Sequence, residues 1–265
     1  MKSRALFGVL PIRLCVMLPA VLMLVPACAT APITGRSQLL LVSEAQEIAL
    51  GMQAYNQFLS EVKISQDPQI TAMVTRVGTR IARAADKPAY NWTFTVVDED
   101  KTVNAFALPG GKIVVYTGIL PYTKDEAGMA FLIGHEVAHV IARHGGERMS
   151  QALLVQLGEE GLRVALSNKS PETIQAISLG YGLATTIGVM LPFSRTHEYE
   201  ADRIGLILMA KAGYDPNEAP AFFERMLKDS SKASPPEFLS THPADASRIR
   251  ELYGLIPEAL QYYKK

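Results

Sequence analysis

The sequence predicts a mainly α-helical domain of the α+β class with one small β-sheet. Three observations indicate this fold: helical apolar patterns occupy most of the chain, β-branched and aromatic residues concentrate between 92 and 116, and a turn sequence divides that region. The chain has 265 residues, of which 48% are hydrophobic and 20% are charged, as is ordinary for a globular protein with a sizeable core. We therefore expect residues 44–265 to form a single domain.

Capping residues mark the starts of three predicted helices, at Ser43, Asp67 and Thr123. The third helix is strongly apolar and is expected to end at Gly145-Gly146, because glycine favours helix C-termini. Residues 175–194 carry no charge and are interpreted as a buried helix or a membrane-facing surface. Further helices are expected over 150–193 and 195–209, around 222–226, and after 243.

Strands are expected over 92–97, 104–108 and 112–116, where β-branched and aromatic residues are frequent. The last two flank Pro109-Gly110-Gly111, a turn sequence typical of a β-hairpin.

Residues 1–28 have the features of a secretory signal peptide, since basic residues precede an apolar run over 14–26 and small residues follow it. The stretch 24–28 resembles a bacterial lipobox, so Cys28 is the predicted lipidation site and membrane anchor. Ordinary cleavage after Ala29 and an uncleaved membrane anchor are the alternatives. Residues 29–43 are expected to be a tether. The other cysteine, Cys15, lies in the leader, so no disulfide is expected in the domain.

The charge balance argues against a nucleic-acid partner. The formal net charge is +0, and basic runs interleaved with aromatic residues do not occur in the sequence. The oligomeric state is left open.

The strongest functional pattern is His135-Glu136-Val137-Ala138-His139. Positions i and i+4 of a helix share a face, so both imidazoles can bind one metal ion. Glu136 lies beside them and can act as a general base toward water that zinc acidifies. Burying these polar residues in an apolar helix is costly unless they coordinate or pair. The pattern predicts a zinc site with Glu136 as catalytic residue; a chance match in a buried helix is the alternative.

A third ligand has to come from another segment. The metzincin pattern fails, because it requires Gly at 142 and His at 145, where this chain has Ala142 and Gly145. Continued helical geometry directs His144 away from both motif histidines, and we interpret it as a cation or hydrogen-bond donor at a helix C-terminus.

The segment 194–202 offers better candidates. Glu198 and Asp202 are four residues apart on one helix face, so Glu198 can bind zinc while Asp202 accepts the second ring N–H of a ligand histidine. Glu200 lies about 200° around the helix from Glu198, so both cannot be ligands. The position of Asp202 favours Glu198 over His197. A charged, solvent-facing helix is the alternative.

Taken together, these motifs resemble those of the gluzincin metallopeptidases, the family of the HtpX, BepA, Oma-type and CAAX-prenyl-protease enzymes. The resemblance covers roughly residues 40–255 and is closest to the periplasmic BepA-like branch without its helical-repeat domain. It is carried by an ordered set of motifs: the HExxH motif, the ExxxD of Glu198 and Asp202, and residues 104–111, 213–216 and 241–243.

The resemblance implies a zincin-type domain that binds one Zn²⁺ ion through His135, His139 and Glu198. It also implies a fourth ligand, His242, which would close the water position and keep the enzyme latent. A surface histidine before Pro243 is the alternative for His242.

The resemblance further implies that Asn104, Ala105 and Phe106 belong to an edge strand that pairs with an extended substrate backbone. We expect a zinc endopeptidase of the bacterial envelope that acts on unfolded or misassembled proteins and is anchored to the outer membrane on its periplasmic side.

A zinc-binding assembly or chaperone-like factor with little proteolytic activity is the alternative function. Glu136 favours the enzyme, because a structural zinc site needs no general base. By residue type, His242, Arg248 and Tyr199 are the candidates for stabilising the oxyanion.

Overall fold

A computed structural model describes residues 28–167, 169–170, 173, 175, 194–229 and 236–264. Within these residues it contains the expected hairpin and helices in the expected regions, while most of the helical stretch expected after 167 lies outside them. The predicted leader, except for Cys28, lies outside the described residues, as does nearly all of the uncharged stretch 175–194. In chain order the elements are β1 (Cys28–Thr30), β2 (Ser37–Leu39), α1 (Glu44–Leu59), α2 (Pro68–Ala85), β3 (Thr93–Val97), β4 (Ala105–Leu108), β5 (Lys112–Tyr116), α3 (Leu120–Thr123), α4 (Glu126–Ile141), α5 (His144–Ala165), α6 (Arg195–Lys211), α7 (Ala219–Asp229), α8 (Phe238–Thr241) and α9 (Ala246–Leu260).

Two of the three predicted helix caps are confirmed. Ser43 caps α1 with a reciprocal capping box, and the Asp67 carboxylate accepts backbone N–H groups of α2 at 2.8 and 3.1 Å. The prediction for Thr123 is wrong, because Thr123 ends the short helix α3. Lys124 then adopts a positive φ of 67°, and Asp125 caps α4 through two 3.0 Å hydrogen bonds.

The predicted hairpin forms part of a three-stranded sheet with the order β3-β5-β4. Strand β4 pairs antiparallel with β5, and β3 pairs parallel with it. Gly110 and Gly111 have φ values of 83° and 86°, which only glycine adopts without strain. Because β5 is the central strand, β4 lies at one edge of the sheet.

Residues 28–39 do not form a free tether, which corrects that part of the sequence prediction. Strands β1 and β2 pair antiparallel, with Cys28 opposite Leu39, and we call this unit the N-terminal hairpin. It packs on α5 with Ala31 and Gln38 buried, and the Leu41 N–H beyond it donates to Ser150 Oγ at 2.8 Å.

Helices α4 and α6 pack closely at the centre of the apolar core. A Cβ atom on Gly134 would lie 2.9 Å from the carbonyl oxygen of Gly205, and a Cβ atom on Gly205 would lie 2.9 Å from the backbone nitrogen of His135. Side chains at either position would force the helices apart. The two glycines thus allow the HExxH motif to lie against the segment that carries Glu198.

Helix α4 ends earlier than the sequence suggests. Its last residue is Ile141, Arg143 adopts a left-handed conformation with φ 56°, and α5 begins at His144. Gly145 and Gly146 lie inside α5, where Gly146 leaves room for the carboxylate of Glu47. Within the described part of the chain, every helix is too short or too polar to cross a lipid bilayer.

Candidate metal centre

Four side chains from separate parts of the fold converge in the core. They are His135 and His139 of α4, Glu198 of α6, and His242, which directly follows α8. Their donor atoms all lie within 4.8 Å of one another, and each of the four residues is at most 4% exposed. The structure therefore brings together the three predicted ligands and the predicted fourth one.

The distances within this donor set are those of ligands around one small cation. His135 Nε2 lies 3.1 Å from His139 Nε2 and 3.2 Å from His242 Nδ1. Oxygens of Glu198 lie 3.4 Å from His139 Nε2 and 3.1 Å from His242 Nδ1. Tetrahedral zinc with bonds of about 2.0–2.1 Å places its donor atoms about 3.3 Å apart. Three imidazole nitrogens and a carboxylate thus fit zinc in both chemistry and spacing.

His135 is held from behind by Asp202, the residue predicted for this role. Its Nδ1 lies 2.9 Å from Asp202 Oδ1, which leaves Nε2 directed at the other donors. Burial disfavours the charged imidazole, but the carboxylates of Asp202 and Glu198 outweigh it and raise the pKa of His135 to about 9. A metal ion that binds here has to displace that proton.

Arg248 anchors both carboxylates. Its Nε and Nη2 donate to the two oxygens of Asp202 at 2.6 and 2.8 Å, and its Nη1 lies 2.7 Å from Glu198 Oε2. Burial would raise the pKa of Glu198, but His242 and Arg248 hold it well below its usual range. The guanidinium is fully engaged, so Arg248 supports the ligands rather than serving as a free oxyanion donor.

His144 supports the other motif histidine, which corrects the prediction that it points away. Its Nδ1 lies 2.8 Å from His139 Nδ1. The prediction extended α4 through position 144, whereas the left-handed turn at Arg143 returns the next side chain to the core. Burial lowers the pKa of His144 to about 4, so it is neutral near pH 7 rather than a cation. The only available signal was the Gly-Gly pair directly after it, which lies inside α5 rather than at the break.

The hydrogen bonds assign the tautomers of this pair. His144 Nε2 lies 2.9 Å from Glu200 Oε2 and therefore carries the proton of the neutral ring. His144 Nδ1 then accepts from His139 Nδ1–H, so the lone pair of His139 Nε2 faces the donor set. Burial lowers the pKa of His139 well below its usual value, which also favours the neutral, metal-binding form.

Glu200 belongs to a second polar cluster that the sequence did not predict. We call it the Arg36 cluster, and it consists of Arg36, His144, Glu147, His197 and Glu200. Burial would raise the pKa of Glu200, but hydrogen bonds from His144, Thr34 and Arg36 outweigh it and lower the pKa to about 2. Glu147 likewise has a pKa of about 2, because bonds from His197 and Arg36 outweigh its burial. Neither Glu200 nor His197 belongs to the donor set.

Glu136 lies beside the donor set with one oxygen unused. Its Oε1 is buried and has no hydrogen-bond partner among the described residues, and His242 Nε2 lies 3.5 Å from it. Burial raises the pKa of Glu136. A buried carboxylate oxygen without a partner is costly, and it is expected where water or a substrate completes the site.

His242 is held in the donor set by the segment around it. Phe238 stacks on its ring with centroids 4.4 Å apart, and the His242 N–H donates to Phe238 O at 2.7 Å. The Phe238 N–H donates to Val103 O at 2.9 Å, just before the edge strand. The segment that carries His242 is therefore tied to the start of β4.

The residues predicted to bind substrate lie at or next to that edge. Ala105 and Phe106 are in β4, and Asn104 precedes it with its side chain 3.2 Å from Glu237 Oε1. Ala105 is buried, while Phe106 packs edge-on against Phe58. Tyr199, a candidate oxyanion donor, lies 3.4 Å from Ser247 Oγ through its hydroxyl group.

Comparison with known proteins gives the same relationship as the motifs. The chain matches the model of peptidase family M48 over residues 68–256. It is 37% identical to the mitochondrial metalloendopeptidase OMA1 of Schizosaccharomyces pombe over 232 residues, which cover 86% of this chain and 66% of that protein. It is 37% identical to the mitochondrial metalloendopeptidase OMA1 of Danio rerio over 244 residues, covering 87% of this chain and 51% of that one.

The β-barrel assembly-enhancing protease of Escherichia coli K12 is 32% identical over 227 residues, which cover 84% of this chain and 46% of that protein. The chain thus spans between 46% and 66% of the length of these relatives. The family match includes α4 and α6, the two helices that carry the HExxH and ExxxD motifs. This confirms the resemblance inferred from the motifs: the chain belongs to peptidase family M48.

Proposed function

We propose that the protein is a zinc-dependent endopeptidase. The observation that carries this proposal is the buried donor set of His135, His139, Glu198 and His242 beside the unpartnered oxygen of Glu136. A purely structural site would not require that costly carboxylate. Family membership and the names of the metalloendopeptidase relatives support the same reaction class.

Each residue of the site has a separate part in hydrolysis. His135, His139 and Glu198 would hold the zinc ion, with Asp202 and His144 orienting the two imidazoles. Bound zinc supplies Lewis-acid chemistry, since it polarises a carbonyl oxygen and lowers the pKa of water. Glu136 accepts the proton of the attacking water at its free oxygen and returns it to the leaving amine.

The proposed substrates are unfolded or misassembled proteins of the bacterial envelope. The edge strand β4 supports this choice, because an edge can pair with any extended backbone and selects little by sequence. One relative is named as a β-barrel assembly-enhancing protease, and others are named as mitochondrial enzymes. The leader and the lipobox-like Cys28 favour the periplasm, with a lipid anchor in the outer membrane.

We also propose that His242 keeps the enzyme latent. Its Nδ1 lies among the other donors. As a fourth ligand it would take the place that an open zinc site leaves to water. Withdrawal of the segment from Phe238 to His242 would open that position next to Glu136. A zinc-binding assembly factor is the second candidate function, and a permanently closed four-ligand site would favour it.

The first test is Glu136→Gln, with zinc content and cleavage of unfolded casein as measurements. We expect zinc to be retained and turnover to fall by about 10²–10⁴, the usual contribution of a general base. Glu126→Gln is the matched control, because it makes the same change near the start of the same helix, at a partly exposed position. If Glu136→Gln cleaves as fast as the control, Glu136 is not the base.

The latency test is His242→Ala in the same assay. Three ligands remain, so zinc should be retained and casein cleavage should increase. Unchanged or reduced cleavage with zinc bound would exclude the latency role. If the parent binds zinc and neither it nor His242→Ala cleaves casein, the assembly-factor function is favoured.

A further inference from the structure

The N-terminal hairpin contacts the network behind His139 through the hydroxyl of Thr34, which donates to Glu200, and through one cation, Arg36. The Nε of Arg36 donates to Glu200 Oε2 at 2.7 Å. Its Nη2 and Nη1 donate to the two oxygens of Glu147 at 2.8 and 3.1 Å. One guanidinium from the hairpin therefore holds carboxylates of both α5 and α6.

Glu200 extends this contact toward the donor set. Its Oε2 accepts from Arg36 Nε and also from His144 Nε2, and His144 Nδ1 accepts from His139 Nδ1 at 2.8 Å. A continuous series of hydrogen bonds thus joins the hairpin to a predicted zinc ligand. Each link fixes the orientation of the next group, as outer partners of metal-binding histidines commonly do.

Because the carboxylates of Glu147 and Glu200 are buried, they need the Arg36 cation as a partner. The side chains of Glu200, Glu147 and His144 are 3%, 10% and 0% exposed, whereas that of Arg36 is 22% exposed. Removing one partner of a buried ion pair leaves an uncompensated charge, and the remaining groups rearrange. Without Arg36, Glu200 would keep only the hydroxyl of Thr34 and the neutral ring of His144 as partners, and the hairpin would no longer supply a cation to balance its charge.

We infer that Arg36 is a positioning residue for the metal centre. It clamps Glu200, and through His144 it holds His139 in the orientation that directs Nε2 toward the zinc ion. Displacing the N-terminal hairpin withdraws this clamp, so the state of the N-terminus sets zinc affinity and turnover. The inference rests on the proposed zinc-binding function.

The test compares Arg36→Ala and Arg36→Lys in the full-length protein, with Arg203→Ala as control. Arg203 forms a similar two-bond ion pair with Glu258, at 2.9 and 2.8 Å, and contacts no group of the Arg36 cluster. The measurements are the zinc dissociation constant by chelator competition, the visible spectrum with cobalt, kcat and KM at saturating zinc, and the melting temperature.

We expect Arg36→Ala to weaken zinc binding about tenfold, the low end for an outer partner of a ligand. The cobalt spectrum should change, and kcat should fall without a change in KM. Arg36→Lys should recover part of the loss, because it keeps the charge but not the bidentate geometry. Arg203→Ala should leave the zinc dissociation constant unchanged even if it lowers the melting temperature.

A double-mutant cycle with His144→Leu separates positioning from general stability. If Arg36 acts through His144, Arg36→Ala causes no further loss of zinc affinity once His144 is Leu. If Arg36→Ala binds zinc as tightly as the parent does, the inference about Arg36 is wrong, and the proposed function is not affected. A parent that binds no zinc would overturn the proposed function and this inference with it. If Arg36→Ala does not fold, Arg36→Lys and Glu200→Gln give the same comparison.

Discussion

The two motif histidines are supported in different ways, although they are one helical turn apart. Behind His135 stand Asp202 and Arg248, a pair with side chains 1% and 2% exposed. Behind His139 stands the neutral ring of His144, followed by Glu200 and then Arg36 at the protein surface. The first support is a closed ion pair in the core, and the second is a series that ends on the N-terminal hairpin.

The difference between the two supports indicates that one stabilises the fold, while the other can change when a surface segment moves. Breaking a buried Arg–carboxylate pair leaves an unpaired charge in the core. A series that ends at a small hairpin can be altered by moving a segment that carries little of the core. The His135 support should therefore matter for both folding and metal affinity, whereas the His139 support should affect mainly metal affinity.

The largest expected effect comes from Asp202→Ala. Arg248 would keep Glu198 as its only carboxylate, and His135 would lose its orienting acceptor. We expect a loss of about 3 kcal/mol in the free energy of unfolding, the lower part of the range for a broken buried pair. Zinc affinity should fall about 10–100-fold. Urea unfolding of the zinc-free protein and chelator competition measure the two effects.

Glu258→Gln is the control for that experiment, because it breaks the partly exposed pair with Arg203. Such a pair contributes about 1 kcal/mol or less. If Asp202→Ala destabilises the protein no more than Glu258→Gln does, the pair behind His135 does not support folding as described.

A smaller effect is expected from His144→Leu. The change removes the acceptor of His139 Nδ1–H but leaves Glu200 paired with Arg36. Zinc affinity should fall about tenfold, while the free energy of unfolding should decrease less than in Asp202→Ala. An unchanged zinc dissociation constant would show that another group orients His139.

The smallest effect concerns acid stability. The pKa of Glu147 is lowered from 4.5 to about 2, so its ionised form stabilises the folded state above pH 4.5. That contribution is lost as the pH falls from 4.5 toward about 2. Glu147→Gln cannot titrate, so the difference in unfolding free energy between parent and variant should shrink over this range. Urea unfolding at about pH 5 and about pH 3 checks this, and a constant difference would contradict it.

The site residues that could be predicted from the sequence were those with regular helical spacing. Glu198 and Asp202 lie on one face of α6 because helical periodicity places i and i+4 together. His135 and His139 follow the same rule on α4. Strand β4 was predictable because a turn sequence divided two strand-like segments.

The parts of the site that could not be predicted depend on a break in helical spacing or on contacts between distant segments. The left-handed residue Arg143 starts a new helix axis, so rotation counted along α4 gave the wrong direction for His144. Arg36 was missed because 29–43 has no periodic pattern, and its ion pairs join residues more than 100 positions apart. Arg248 was recognised as functional by type, but its role depends on tertiary contacts with Asp202 and Glu198.

The folded hairpin also limits how far the metal centre can lie from Cys28. A free tether over 29–43 could extend roughly 50 Å and let the domain sample a deep layer above a membrane. Because β1 begins at Cys28 itself, that length is folded back on α5. With a lipid on Cys28, as proposed, the domain would stand directly on the bilayer, and the chains it could cleave would be those held at the membrane surface.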